Sequence, residues 1–146
     1  MLYATDGRPL PRPIQVTQPY FDALREGRLQ LQRCPRDGVF FYPRSHCPDC
    51  WQTDWEWIPL SGRGEVHSFT VDRIGHDPAL RQDAPFVIAL VTLEEGARVV
   101  ANVVDCEPEQ VAVGMSVEAT YTSYSPADGG EPVALLRFKP RQESAR

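Results

Sequence analysis

Two short turns constrain this chain more than anything else in it: Cys34-Pro35-Arg36-Asp37-Gly38 and Cys47-Pro48-Asp49-Cys50. Each offers two side chains three positions apart, the spacing at which both reach a single ion held in a tight turn. Three of the four cysteines lie within 17 positions. The start, Met1-Leu2-Tyr3-Ala4-Thr5-Asp6, lacks a basic end followed by an apolar run, so this clustering reads as metal binding before disulfide formation. Cys47 and Cys50 supply one complete pair. In the other, Asp37 takes the place of the second thiolate and Gly38 stands where a turn needs relief. Zinc accepts an Asp oxygen at a distance close to that of a His nitrogen, so Cys34, Asp37, Cys47 and Cys50 form the expected metal set, closed and structural.

The residues leave two states of this ribbon open. One holds zinc. The other has lost it and is kept together by Phe40, Phe41, Tyr42 and Trp51 packing across the site. His46 ranks below Asp37 as a ligand, because its place next to Cys47 hinders convergence on one ion. A nucleophilic role for Cys34, Cys47 or Cys50 with His46, His67 or His76 as base finds no local signature, and no catalytic residues are assigned. Cys106 reads as a small buried apolar residue, and His67 as a packed or hydrogen-bonded strand residue. Trp51, Trp55 and Trp57 read first as a cover for the ribbon, with Trp55 and Trp57 on one strand face, and second as a partner anchor.

The rest of the chain reads as mainly β. Its 146 residues include 14 prolines and 10 glycines, which predicts many turns and few long helices. Residues 1–16, with Pro9, Pro11 and Pro13, suit an extended arm that packs on something else or stays mobile. Thr17-Gln18-Pro19 reads as a helix start with Thr17 as N-cap, Tyr20, Phe21 and Leu24 follow at helical spacing, and Gly27 ends it. So short a helix gains order by docking, and Tyr20, Phe21 and Leu24 are the expected partner interface. Strands follow at Leu29 to Gln32, Glu65 to Arg73, Pro85 to Leu93, Arg98 to Val104, Met115 to Tyr124 and Pro132 to Phe138, with Pro108 to Gly114 a helical turn or tight loop. On the Glu65 strand, alternation puts Val66 with Ser68 and Thr70, and His67 with Phe69 and Val71. The five short strands from Glu65 onward, with a link after the third of them, match an OB-type barrel. The organisation is then an arm and helix over 1–31, a ribbon over 32–58 and a barrel over 59–146, with Gln142 to Arg146 a frayed tail.

Charge narrows the function classes. Net charge is −5, and residues 51–146 carry 8 basic against 15 acidic groups, whereas residues 25–50 are +2. A general polyanion binder would need the opposite balance, so nucleic-acid binding, open to any OB barrel, is the competing reading. No run approaches the roughly 20 apolar residues of a membrane span, and a cytoplasmic protein is expected. Gly62-Arg63-Gly64 is too short for a phosphate loop, and Glu94-Glu95-Gly96 reads as a solvated hairpin tip.

Taken in order, Thr17-Gln18-Pro19-Tyr20-Phe21, Gly27 to Cys34, Tyr42-Pro43-Arg44 ahead of Cys47-Pro48-Asp49-Cys50, Ser61 to Gly64, Pro85 to Val91, Glu95-Gly96 and Val113-Gly114-Met115 resemble the family first catalogued as domain of unknown function 35. The resemblance runs from about residue 10 to residue 140. It implies an N-terminal helical arm, a rubredoxin-like zinc ribbon and a C-terminal OB barrel. It also implies a small accessory subunit without its own catalytic set, in hetero-oligomers with acyl-CoA enzymes: thiolases, thiolase-like acyltransferases, sterol-carrier-protein-type thiolases acting as aldolases, and hydratases. A coenzyme A thioester shared with the partner, its phosphates held by arginines near the ribbon, belongs to the same expectation. Asp37, where the family commonly has Cys, is the departure.

Overall fold

The computed structural model describes residues 1–142; apart from Gln142, the expected frayed tail lies outside the described residues. Strands β1 (Leu2–Tyr3) and β2 (Pro9–Leu10) pair as a small antiparallel hairpin, followed by helix α1 (Gln18–Arg25). Strands β3 (Leu29–Cys34), β4 (Gly38–Phe40) and β5 (Glu56–Leu60) form a three-stranded sheet in the order β4-β3-β5. This ribbon sheet thus begins at Leu29 and ends at Leu60, so position 32 falls inside its first strand.

The remaining strands, β6 (Arg63–Asp72), β7 (Phe86–Leu93), β8 (Arg98–Val103), β9 (Ser116–Tyr124) and β10 (Val133–Pro140), close into a barrel in the order β10-β8-β7-β6-β9. All pairs are antiparallel except β8 with β10, which run parallel with Arg137 opposite Asn102. Closure through that pair removes the two sheet edges that an open five-stranded meander would expose. The link after the third barrel strand is a single 3₁₀ turn, Pro108–Gln110, closed by a capping box between Glu107 and Gln110. Among the described residues no helix is long and apolar enough to cross a membrane.

Alternation builds the barrel core. Val87, Ala89, Val91 and Leu93 of β7 and Val99, Ala101 and Val103 of β8 point inward, with Phe138 of β10 fully buried beside them. On β6 the alternation breaks. The register slips between Val66 and Ser68, leaving His67 as the extra residue of a bulge. Past the bulge the buried side changes parity, so Val66 shares the inner side with Phe69 and Val71, not with Ser68 and Thr70, and His67 is exposed where a packed residue was expected.

The arm and the helix also depart from expectation. Leu2, Ala4 and Leu10 are buried in the main core, and Ala4 bridges Pro126 of the β9–β10 connection, so the arm packs on its own barrel. Tyr20, Phe21 and Leu24 are 5%, 5% and 1% exposed. Helix α1 lies across β10, β9 and β3, and Tyr20, Phe21 and Leu24 of its apolar face are buried in this chain's own core. Thr17 precedes the helix without capping it: its hydroxyl turns back to accept from the Ile14 N–H (2.9 Å) and donate to the Ile14 carbonyl (3.2 Å). Gly27 ends the turn with φ +75°, a left-handed conformation that glycine adopts without strain.

Candidate metal centre

The two turns singled out in the sequence meet. One joins β3 to β4; the other sits in the loop that leads to β5. In the first, Gly38 takes φ +86°, which lets the chain fold back immediately after Asp37. In the second, Trp51 occupies the matching place after Cys50 with φ +64°, and its N–H donates to the Cys47 carbonyl at 2.9 Å. The Cys47 N–H in turn donates to the Gln52 carbonyl (3.0 Å). In both turns a left-handed residue directly after the second donor of the pair folds the chain back there.

The ligand atoms of Cys34, Asp37, Cys47 and Cys50 all lie within 4.8 Å of one another. Cys34 Sγ is 3.6 Å from Cys50 Sγ and 3.6 Å from Asp37 Oδ2, and Cys47 Sγ is 3.4 Å from Asp37 Oδ2. A tetrahedron with Zn–S about 2.3 Å and Zn–O about 2.0 Å puts its corners roughly 3.5–3.8 Å apart. The three separations of 3.4–3.6 Å are close to that figure, and every pair of donors lies within 4.8 Å. Cys34 and Cys47 are buried, Cys50 is half-buried and the Asp37 residue is exposed, so the set closes inward on sulfur and faces water on its carboxylate side.

The electrostatics suit a cation. The thiols of Cys50 and Cys47 donate to the Asp37 carboxylate and hold it below the usual carboxylate range. Burial raises the Cys34 pKa, but the N–H groups of Arg36 and Asp37 and the thiols of Cys50 and Cys47 outweigh it, leaving Cys34 below its ordinary value. Cys47, with burial as its main influence, is pushed up to about 11. One acceptor surrounded by three thiols is thus stabilised as an anion, and a dication at the centre would carry the thiols the same way.

Of the aromatic residues expected across the site, only Phe40 packs there, joined by Trp55. Phe41 and Tyr42 turn instead toward α1, with ring centroids 6.2 and 5.8 Å from Tyr20. Trp51 is 73% exposed. Trp55 and Trp57 do share a face, edge to face at 5.8 Å, and Trp55 Nε1–H donates to the Ser45 carbonyl (2.8 Å). His46 is exposed and bonds the Ser45 hydroxyl through Nδ1 at 2.8 Å; it lies outside the donor cluster. Cys106, expected to be buried, is half-buried.

One supporting residue escaped the sequence reading. Gln32 alternates with Leu31 and so reads as solvent-facing, yet it is completely buried. Its amide donates to the Arg44 carbonyl (2.7 Å) and accepts from the Arg44 N–H (2.9 Å), mimicking one rung of a strand. That latch ties β3 to the segment entering the second turn. Its only sequence signal is a second uncharged polar residue, Gln30, in the same strand; Gln30 likewise donates to the Pro19 carbonyl (2.7 Å).

The ribbon arginines are largely occupied. Arg36 engages Asp54, Arg33 engages Glu56, Arg28 engages Glu26, and Arg25 bridges Asp22 and Glu131. Arg44 donates to the Tyr42 carbonyl (2.9 Å). These are exposed pairs, cheap to open, but they are not a preformed phosphate cradle.

Comparison with known proteins gives the arrangement its context. Family models match in sequence order: the rubredoxin-like zinc ribbon domain of ChsH2 over residues 21–56 and the C-terminal OB-fold domain of ChsH2 over residues 57–122. A DUF35 domain-containing scaffold protein of Methanocaldococcus jannaschii is 41% identical over 109 residues, 73% of this chain and 76% of that protein. A benzoylsuccinyl-CoA thiolase subunit, BbsA, of Geobacter metallireducens is 30% identical over 76% of this chain and 73% of its own length. A probable enoyl-CoA hydratase alpha subunit of Thermomonospora curvata is 33% identical over 82% of this chain, but the chain spans only 37% of that protein. Among solved structures, a chain of the Ltp2-ChsH2(DUF35) aldolase matches with a TM-score of 0.72 and 30% identity, covering 90% of this chain and 98% of that one.

Proposed function

The chain belongs to the DUF35 family of zinc-ribbon and OB-fold proteins, and from that membership we propose that it is a non-catalytic accessory subunit of an acyl-CoA enzyme of the thiolase or aldolase type. The observation that carries this reading is the near end-to-end match, at 30% identity and 98% coverage, to a chain of an aldolase described as an Ltp2-ChsH2(DUF35) assembly. Identity to a thiolase subunit supports the same class of partner. The chain is comparable in length to the scaffold relatives and matches only part of the hydratase alpha subunit, so it is the scaffold role, and not hydratase chemistry, that carries over.

Within that role Cys34, Asp37, Cys47 and Cys50 hold a structural zinc ion, whose chemistry is to cross-link two turns. No coordination position is left for a substrate. The accessory subunit acts by ordering the partner's loops and shaping its acyl pocket, with the coenzyme A thioester bound chiefly by the partner.

Co-expression with a thiolase-like or aldolase-type subunit encoded beside it, followed by purification through a tag on this chain, tests the proposal. The expected result is a stable hetero-oligomer whose acyl-CoA turnover is lost when this chain is omitted. Turnover of an acyl-CoA by this chain alone, or full activity of the larger subunit without it, overturns the reading.

A further inference from the structure

Outward residues of a small barrel are ordinarily polar, because only the inner face has a core to meet. Here the outer face of β7, β8 and β10 carries Ile88, Leu90, Val100 and Leu135 among its polar residues. Ile88 is 36% exposed and Val100 56%. Leu90 of β7 pairs opposite Val100, and Leu135 of β10, two residues before Arg137, lies alongside. The next row across the same strands reads Ile88, Asn102 and Arg137, so an apolar lane ends on a cation.

This lane is the floor of a groove of about 420 Å³. Tyr20 of α1 with Phe41 and Tyr42 of the ribbon form its far wall. Helix α1 packs chiefly over β10 and β9 on this side, and Ile88 of β7 and Val100 of β8 stay exposed beside it. Arg137 also lines a second cavity of about 390 Å³ together with Tyr124, so the cation stands where the two hollows join.

The polar end is built for an anion. Arg8 and Arg137 both donate to the Tyr124 hydroxyl, at 3.1 and 3.2 Å. Arg8 is neutralised by Asp6 (2.9 Å) and Asp83 (3.0 Å). Among the described residues no carboxylate pairs with Arg137, which is half-buried. A phenol accepting two hydrogen bonds has used its lone pairs and keeps its O–H to donate. Arg137 and Tyr124 together therefore present donors that a carboxylate accepts, at the end of an apolar lane.

We propose that the groove between α1 and the outer face of β7, β8 and β10 docks a segment of the partner chain that carries apolar side chains followed by an Asp or Glu, the carboxylate seated on Arg137 and Tyr124. The inference rests on the accessory-subunit reading for the existence of a partner chain and deepens it by naming where and by what chemistry that chain is gripped. The groove is open, with Val100, the most exposed of its apolar lining residues, in the floor, which suits an extended peptide better than an enclosed small molecule.

The test selects short random peptides displayed on phage against the full chain, then against Val100→Asp and Arg137→Glu, whose outward positions leave the core intact. Enriched peptides should combine apolar residues with Asp or Glu, weaken at least about tenfold on Val100→Asp, and give way on Arg137→Glu to peptides bearing Lys or Arg. Methyl NMR shifts on binding should fall on Ile88, Val100 and Leu135. Failure to enrich, or peptides that bind both variants as well as the native chain, overturns the proposal. Octanoate producing the same methyl shifts and displacing the peptides also overturns it, in favour of a small-amphiphile site. Since the selection needs no partner enzyme, its failure leaves the accessory-subunit reading standing, and failure of the co-purification leaves this result readable on its own.

Discussion

The ribbon and the barrel of this chain are held together by opposite means. The barrel rests on a continuous apolar cluster that runs from Leu2 and Leu10 through Val91, Val99 and Val117 to Phe138 and takes in Leu29 and Leu31 of the ribbon's first strand. The ribbon's separate cluster consists of Cys34, Phe40 and Cys47, with Cys50 and Trp55 packed against it. Two of those three buried residues belong to the candidate metal site. A cluster with so little apolar surface gains most from a cross-link, and a closed sheet gains least. The proposed zinc would thus matter to one part of the chain far more than to the other.

Metal removal breaks this comparison most sharply. Protein made with ample zinc should contain about one ion per chain by elemental analysis, and a strong chelator should erase the ordered NMR signals of Phe40 and Trp55 while amides of Val91 and Val99 stay protected. Structural zinc in small modules contributes on the order of 10 kcal/mol to local folding, so this is the largest effect expected. A metal-free chain with an unchanged ribbon would show that burial alone suffices. Next in size is the converse variant. Phe138→Ala leaves a cavity in the barrel and should cost about 3–5 kcal/mol in denaturant unfolding, with zinc content unaltered. Gln32→Leu strands the N–H and carbonyl of Arg44 and should cost about 2 kcal/mol, read as earlier loss of ribbon signals than of barrel signals. Smallest is Arg33→Ala, which removes an exposed pair with Glu56 and should shift stability by under about 1 kcal/mol.

How much of this was visible beforehand differs between the same two regions. The five barrel strands could be read because inward Val, Leu and Ala alternate with other residues along β7 and β8, and the convergence of Cys34, Asp37, Cys47 and Cys50 because turn chemistry is local. What could not be read depended on distant contacts. Alternation on β6 cannot reveal that His67 is skipped by the ladder, so every side assignment after it was inverted. The spacing of Tyr20, Phe21 and Leu24 shows that one helix face is apolar but not whose core it meets; it meets its own. Prolines in the arm discouraged a strand reading, yet Pro9 sits in a two-stranded hairpin at the rim, where a missing N–H is tolerated. Gln32 hid because a polar residue in an alternating strand looks solvated, and only the path of Arg44 makes it a buried latch. An N-terminal truncation to residue 27 would accordingly strip Leu2, Leu10, Phe21 and Leu24 from the core, and is no clean way to separate a docking arm from a folded barrel.

The parallel seam between β8 and β10 has a temporal consequence. As a ribosome delivers the chain, the ribbon is complete once Leu60 has emerged, and its two turns can capture an ion at that point. The barrel must wait for Val133–Pro140, because β10 both seals the sheet beside β8 and supplies the surface on which α1 rests. The helix, among the first segments made, therefore waits for one of the last, and its loop closes over more than a hundred residues. Contacts of such long sequence separation form slowly. For that interval the apolar helix face has β3 to rest on, but neither β9 nor β10.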